Sequence, residues 1–248
     1  MDDRGATFGY RIRFDEAGSA GTARPSLLLR LAQDAAWIHS ERIGYTRAWY
    51  EERGLAWLVR AVALETRGQA RHGDVVDVST SVIGYRRIWA RRQADIRRAG
   101  DLMATVLTDW ILTDDRGRPV RIPEEFATRL PGSSVSIRPL RTAERPAAPP
   151  LVEVTGIVRP SELDPLGHMN NAAYLDRVMD LAAGVDGAAW AGRLGRPSAV
   201  LEFLAPAELG DRTVESLWPT DDGRGISYAM TVIGRGPILR ATAIGAAD

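Results

Sequence analysis

Val62-Ala63-Leu64-Glu65, followed after a short gap by Gly73-Asp74 and the alternating run Val75-Val76-Asp77-Val78-Ser79-Thr80-Ser81-Val82, has a counterpart later in the chain. There Ala199-Val200-Leu201-Glu202 precedes Gly210-Asp211 and Arg212-Thr213-Val214-Glu215-Ser216-Leu217-Trp218. Glu65 and Glu202 are 137 positions apart, as are Asp74 and Asp211 (202 − 65 and 211 − 74). At the same offset Ala104-Thr105 falls on Ala241-Thr242. Leu-Glu and Gly-Asp pairs recur at strand ends in many proteins, but three registrations without a gap point to an internal duplication.

Working outward from these segments, each half repeats one order of elements. A short strand (Tyr10 to Phe14; Val152 to Arg159) leads into a glycine-containing turn and then a helix. Leu27, Leu28, Leu31, Ala35 and Ile38 recur at helical spacing, as do Ala173, Leu175, Val178, Met179 and Ala182. Strands are expected at Ala56 to Glu65, Val75 to Tyr85, Ile88 to Arg97 and Leu102 to Thr113. In the second half they fall at Ser198 to Phe203, Arg212 to Trp218, Ile226 to Ile233 and Ile238 to Ile244. One long helix followed by an antiparallel meander is an α+β arrangement, with the helix covering one face of the sheet. Between the halves, Pro131 to Pro150 contains five prolines and little apolar periodicity, which reads as a surface linker. The expected organisation is a unit at 1–130, a linker at 131–150 and a second unit at 151–248.

Composition narrows the function. Of 248 residues, 45% are apolar and 26% charged, ordinary for a globular chain. The 32 basic and 32 acidic side chains cancel, which removes the usual electrostatic case for nucleic acid or an anionic membrane as the main partner. Without cysteine there is no disulfide, thiolate metal site or cysteine nucleophile. The N-terminal stretch is polar, and no apolar run approaches the roughly 18 residues of a membrane span, so a cytoplasmic location is expected.

The segment Asp164-Pro165-Leu166-Gly167-His168-Met169-Asn170-Asn171 joins strand to helix in the second half. Pro165 and Gly167 permit a tight turn, and Asn170 or Asn171 suits the N-cap. A helix start offers N–H groups and partial positive charge to a carbonyl oxygen becoming an oxyanion. Asp164 could activate water or attack directly, while His168 or a backbone amide polarises the carbonyl. Asp-Pro-x-Gly is equally an ordinary turn sequence, and paired asparagines are ordinary caps, so physics alone leaves both readings open.

Asp164 to Leu175, D-P-L-G-H-M-N-N-A-A-Y-L, resembles the D-x-x-G-H-x-N-N-x-x-Y signature of hotdog-fold acyl thioesterases. The resemblance extends over nearly the whole chain to the acyl-ACP thioesterases of plants and bacteria, through YRIRFDEAG, LAQDAAWIHSERIG, GLAWLVRAVALE, HGDVVDVSTSV, VLTDWILTDDRGRPVRIPEEF and VLEFLAPAELGD. It implies a double hotdog, two fused units sharing one sheet, with the catalytic residues in the second unit and the acyl cavity shaped by the first. Asp164 then matches the catalytic carboxylate and His168 the family histidine. Glu208 matches an acidic residue near the site, a candidate for orienting water. Gly167, Asn170 and Asn171 become candidate substrate-binding residues. The implied reaction is hydrolysis of an acyl thioester on acyl carrier protein or CoA, with no metal or other cofactor, in a monomer or homodimer. Two positions depart from the plant pattern: Leu166 replaces an asparagine and Leu209 a cysteine. A hotdog dehydratase or hydratase, and an inactive acyl-binding protein, are the alternatives.

The duplication places Gly18, Thr22 and Arg71 opposite Asp164, His168 and Glu208, so one active site per chain is expected. His39 and His72 read as structural groups. The tryptophans read as core packing before cavity lining, and the arginine pairs at 86–87, 91–92 and 97–98 as a solvated strand face before a docking site.

Overall fold

The computed structural model describes residues 5–129, 138–185 and 197–245. Ten strands form one antiparallel sheet: β1 (Gly5–Arg11), β2 (Leu55–Thr66), β3 (Val75–Arg86), β4 (Trp89–Arg98), β5 (Asp101–Asp114), β6 (Val152–Ile157), β7 (Pro197–Phe203), β8 (Arg212–Pro219), β9 (Gly225–Val232) and β10 (Gly236–Gly245). Their order, β1-β3-β4-β5-β2-β7-β10-β9-β8-β6, reads the same from either edge once the second half is renumbered. The central pair shows the duplication most directly. Ala61 pairs with Glu202, Ala63 with Val200 and Glu65 with Ser198, so adding 137 to the first-half member of a pair and subtracting 137 from its partner regenerates a pair. The pseudo-twofold axis passes through Ala63 and Val200.

Helices α1 (Pro25–Arg42) and α4 (Asn171–Ala183) lie side by side on one face, joined by an Arg30–Asp176 ion pair at 2.7 Å. Both bury their apolar stripes against the sheet: Leu27, Leu28, Leu31 and Ala35 from α1, Ala172, Leu175, Val178 and Ala182 from α4. Two short helices, α2 (Arg47–Glu52) and α3 (Glu124–Arg129), belong to the first half and build a separate aromatic cluster, in which Tyr45 stacks on Phe126 at 3.9 Å.

The expected strands are present within a few residues of their expected ends, except the first. β1 ends at Arg11, and Phe14 stands 82% exposed in a 3-10 turn. The cause is local: the Arg13 amide donates to Glu16 Oε2 at 2.8 Å and folds the chain away from the sheet. Residues 131–137 of the expected linker lie outside the described residues. Residues 138–150 cross the face of the sheet opposite the helices and serve its buried acids. Leu140 N donates to Asp109 Oδ2 at 2.9 Å, Arg141 pairs with Glu202, and Trp218 Nε1 donates to Ala148 O at 2.8 Å.

Candidate active site

The turn from Asp164 to His168 and its counterpart from Gly18 to Thr22 have the same backbone. Asp164 N donates to His168 O at 2.8 Å and Gly167 N to Asp164 O at 3.0 Å. Gly18 N donates to Thr22 O and Gly21 N to Gly18 O, both at 2.9 Å. Gly167 (φ 81°) and Gly21 (φ 72°) both occupy the left-handed region, which is why glycine recurs there. His168 bridges Glu208 where Thr22 bridges Arg71. The equivalences expected from sequence spacing are therefore backbone equivalences, and only the side chains differ.

In the second half, Asp164 Oδ1 accepts the Leu166 amide at 2.9 Å and the His168 amide at 3.4 Å. Among the described residues no hydrogen bond or ion pair engages Oδ2. Asn170, rather than Asn171, is the N-cap, accepting the Ala172 amide at 2.9 Å, so α4 starts immediately beyond the turn with its N–H groups pointing back. Asp164, His168, Asn170 and Asn171 share the wall of a cavity of about 790 Å³, within the range of ligand pockets. Tyr174, one turn into α4, also lines it, edge-on to Phe203 at 5.4 Å. Burial pushes its phenol up to about 12, so it stays protonated at neutral pH.

Gly167 and Glu208 do not line the cavity. Gly167 shapes the turn. Glu208 is adjacent to His168 through its backbone, but its side chain is 59% exposed and lies 3.9 Å from Arg235. Leu166, the departure from the plant pattern, lines the cavity and is 59% exposed at its rim.

The first half supplies most of the remaining wall. Arg30, Gln33, Asp34 and Trp37 follow one stripe of α1 at i, i+3, i+4 and i+7 and line the same cavity as the turn. That polar stripe on an otherwise apolar helix is the signal that sequence reading passed over. Trp37 and Trp110 line the cavity, which corrects the core-packing reading for those two, while Trp57 both lines it and packs edge-on to Phe126 of the aromatic cluster at 5.9 Å. The solvated-face reading of the arginine pairs also fails in part. Arg86 and Arg87 are exposed, but Arg91 is buried against Asp109 with contacts of 2.6 and 2.8 Å, and Arg92 faces the cavity. Strand alternation sends these two neighbours to opposite faces, and both faces are covered. His39 is buried with Nδ1 2.8 Å from Arg92 Nη1, and His72 packs edge-on to Phe14 at 5.5 Å, both structural positions. Among the described residues no group of histidines and acids could hold a metal, and no helix is long and apolar enough to cross a membrane.

Comparison with known proteins agrees with this architecture. The family model described as the acyl-ACP thioesterase N-terminal domain matches residues 6–130. A structure described as an oleoyl thioesterase from Lactobacillus plantarum superposes with a TM-score of 0.83 at 21% identity, over 98% of this chain and 96% of that one. An acyl-ACP thioesterase from Bacteroides thetaiotaomicron gives 0.79 at 15% identity, over 97% of each chain. The 12:0-ACP thioesterase from Umbellularia californica gives 0.77 at 18% identity, over 97% of this chain and 96% of that one. At these identities the likeness shows the fold, the double hotdog. A search of curated protein sequences finds no match.

Proposed function

The chain belongs to the acyl-ACP thioesterase family, and from that premise we propose that it hydrolyses acyl thioesters carried by acyl carrier protein or CoA, with Asp164 as the catalytic carboxylate. The observation that carries this reading is the position of Asp164. Its Oδ2 lies without a partner among the described residues, in the wall of a largely apolar cavity and one turn before a helix N-terminus. An acyl chain in the cavity would bring its thioester carbonyl to the start of α4, where amide N–H groups and His168 stabilise the developing oxyanion. Asp164 Oδ2 removes a proton from water as the water oxygen bonds to the carbonyl carbon. The carbon–sulfur bond then breaks, its electron pair stays on sulfur, and the thiolate takes up a proton. Direct attack by Asp164, through an acyl anhydride that water later opens, uses the same geometry. Glu208 assists from the rim, provided its carboxylate turns away from Arg235.

The test is thiol release from saturated acyl-ACP and acyl-CoA across chain lengths. Saturated chains separate hydrolysis from the dehydratase alternative, since they have nothing to dehydrate or hydrate. Asp164→Asn is the informative variant, because its amide oxygen still accepts the Leu166 and His168 amides while the base is lost. The expected loss is roughly 10³-fold or more in kcat with the melting temperature little changed. Absence of thiol release with every carrier and length, or full activity in Asp164→Asn, would sink the proposal.

A further inference from the structure

The β4 wall of the cavity carries a cation without a counter-ion. Arg92 lies on the helix-facing side of β4, and its Nη1 is 2.8 Å from His39 Nδ1 and 3.4 Å from Thr80 Oγ1. A guanidinium only donates, so His39 Nδ1 accepts and the ring is neutral. Among the described residues no carboxylate forms an ion pair with Arg92, whereas Arg91 beside it is bonded twice by Asp109. Burial pushes the Arg92 guanidinium down to about 10, which leaves it charged at neutral pH. Of its five donors, those on Nε and Nη2 have no hydrogen-bond partner among the described residues. Trp110, diagonal to Arg92 on the same face of the sheet, holds its Nε1 buried and also without a partner. Burying the Trp110 donor without a partner is costly, while the free Arg92 donors open on the cavity, where a ligand can meet both.

The second half shows that the fold does not require this cluster. Val82 pairs with Arg92 as Pro219 pairs with Ile226, so Ile226 stands where Arg92 does, and it is fully buried. By the same strand correspondence Thr80 becomes Leu217, also fully buried. Hydrocarbon stands in the second half where Arg92 and Thr80 stand in the first.

We propose that Arg92 seats a carboxylate at the distal end of the acyl chain, so that the preferred substrates are monothioesters of dicarboxylic acids. The inference rests on the reading of the cavity as the acyl site. β4 is three strands from β7, a lateral distance of ~14 Å, and β7 leads into Leu204-Ala205-Pro206, which line the cavity with the catalytic turn. An acyl chain crossing that interval runs past Trp57 and Trp110 and ends at Arg92. The Arg92 fork, with Trp110 Nε1 close by, suits two carboxylate oxygens.

The experiment compares kcat/KM for ω-carboxyacyl and plain acyl thioesters of matched length on one carrier. The wild-type protein is expected to favour the carboxylated chain by about 10- to 100-fold at the matching length. Arg92→Met should abolish that preference through a selective loss of kcat/KM for the carboxylated series, and Arg92→Lys should keep part of it, with melting curves confirming that both fold. Preference for plain chains at every length, or equal effects of Arg92→Met on both series, would overturn the inference. If no thioester is hydrolysed, the thioesterase reading fails separately, and calorimetry with free dicarboxylic and monocarboxylic acids decides this one. Tighter dicarboxylate binding that Arg92→Met removes supports it, and indistinguishable binding overturns it.

Discussion

The turns at Gly18–Thr22 and Asp164–His168 share their hydrogen bonds, their left-handed glycine and their strand bridge, yet only the second presents a carboxylate and an imidazole. The space under the helices divides the other way. In the second half Leu217 and Ile226 fill it, both fully buried, where the first half has Thr80 and the cavity residue Arg92. Arg177 of α4, bonded to Glu162 at 2.7 Å and Glu215 at 2.5 Å with Tyr228 donating to Glu215 at 2.7 Å, is a charged network where the first half has the packed core residues Leu31 and Val78. Chemistry and volume thus sit in different copies of one framework, and they meet because the sheet sets the two helices side by side.

The largest effect should come from exchanging what the turns carry. Asp164→Asn is expected to lose roughly 10³-fold in rate. Gly18→Asp, which puts a carboxylate into the equivalent turn, should add no measurable activity to that variant, because Thr22 rather than a histidine follows and Pro25 rather than an asparagine opens α1. Recovery of thiol release in the double variant would break the comparison.

Removing Arg177 tests the other side of it. Arg177→Met leaves Glu162 and Glu215 without their cation at largely buried positions, and is expected to cost about 3–5 kcal/mol in denaturant unfolding. Gly156 belongs to the same arrangement, since a Cβ there would lie 2.8 Å from Arg177 Nη1 and 2.9 Å from Glu215 Oε1. Arg92→Met, by contrast, removes a cation that has no acid to abandon and should leave stability nearly unchanged. Equal losses in the two variants would mean that the cavity wall is as structural as the network.

Much of this division was legible in the sequence, because duplication is a matter of spacing. The 137-residue offset located β2 with β7, β3 with β8 and the bridge partners Arg71 and Glu208, and the turn alignment located Gly18 and Thr22. In β5 and β10 it is out by two residues, since Leu64 pairs with Val106 and Leu201 with Ala241, so that Val106 rather than Ala104 corresponds to Ala241. Spacing carries no information on which way a side chain turns once the backbone is placed. Glu208 has its backbone where expected and its carboxylate toward Arg235. Arg92 belongs to a run of paired arginines that looks solvated until the covering of both sheet faces is known. The tryptophans could be core or cavity on periodicity alone, since a cavity wall and a core wall repeat with the same period.

Gly21→Ala and Gly167→Ala form a matched pair of intermediate size. Neither Cβ would meet another atom within 4 Å, so the cost is that of the left-handed backbone, about 1–2 kcal/mol in each. Melting should therefore register both alike. Only Gly167→Ala should slow hydrolysis, because only that turn holds Asp164. An activity loss from Gly21→Ala would place the first turn in the machinery.

The smallest effect concerns a carboxylate that both halves keep. Asp74 Oδ2 accepts the Arg71 amide at 2.7 Å and an Arg98 N–H at 2.8 Å, as Asp211 accepts the Glu208 amide and Arg235. The Arg71 amide first, and Arg98 after it, hold the Asp74 carboxyl below the usual carboxylate range. A group with a lowered folded value contributes stability that is present above its unfolded pKa of about 3.9 and fades as pH falls through the folded one. Asp74→Asn should therefore melt lower than the wild type by a constant amount above about pH 5, and the difference should close on acidification below about pH 4. Asp211→Asn should show a rate defect as well, since the amide that Asp211 holds belongs to Glu208, the strand partner of His168. If the Asp74 difference instead widened on acidification, its carboxyl would be held above the unfolded value, and the capping role assigned here to both acids would be wrong.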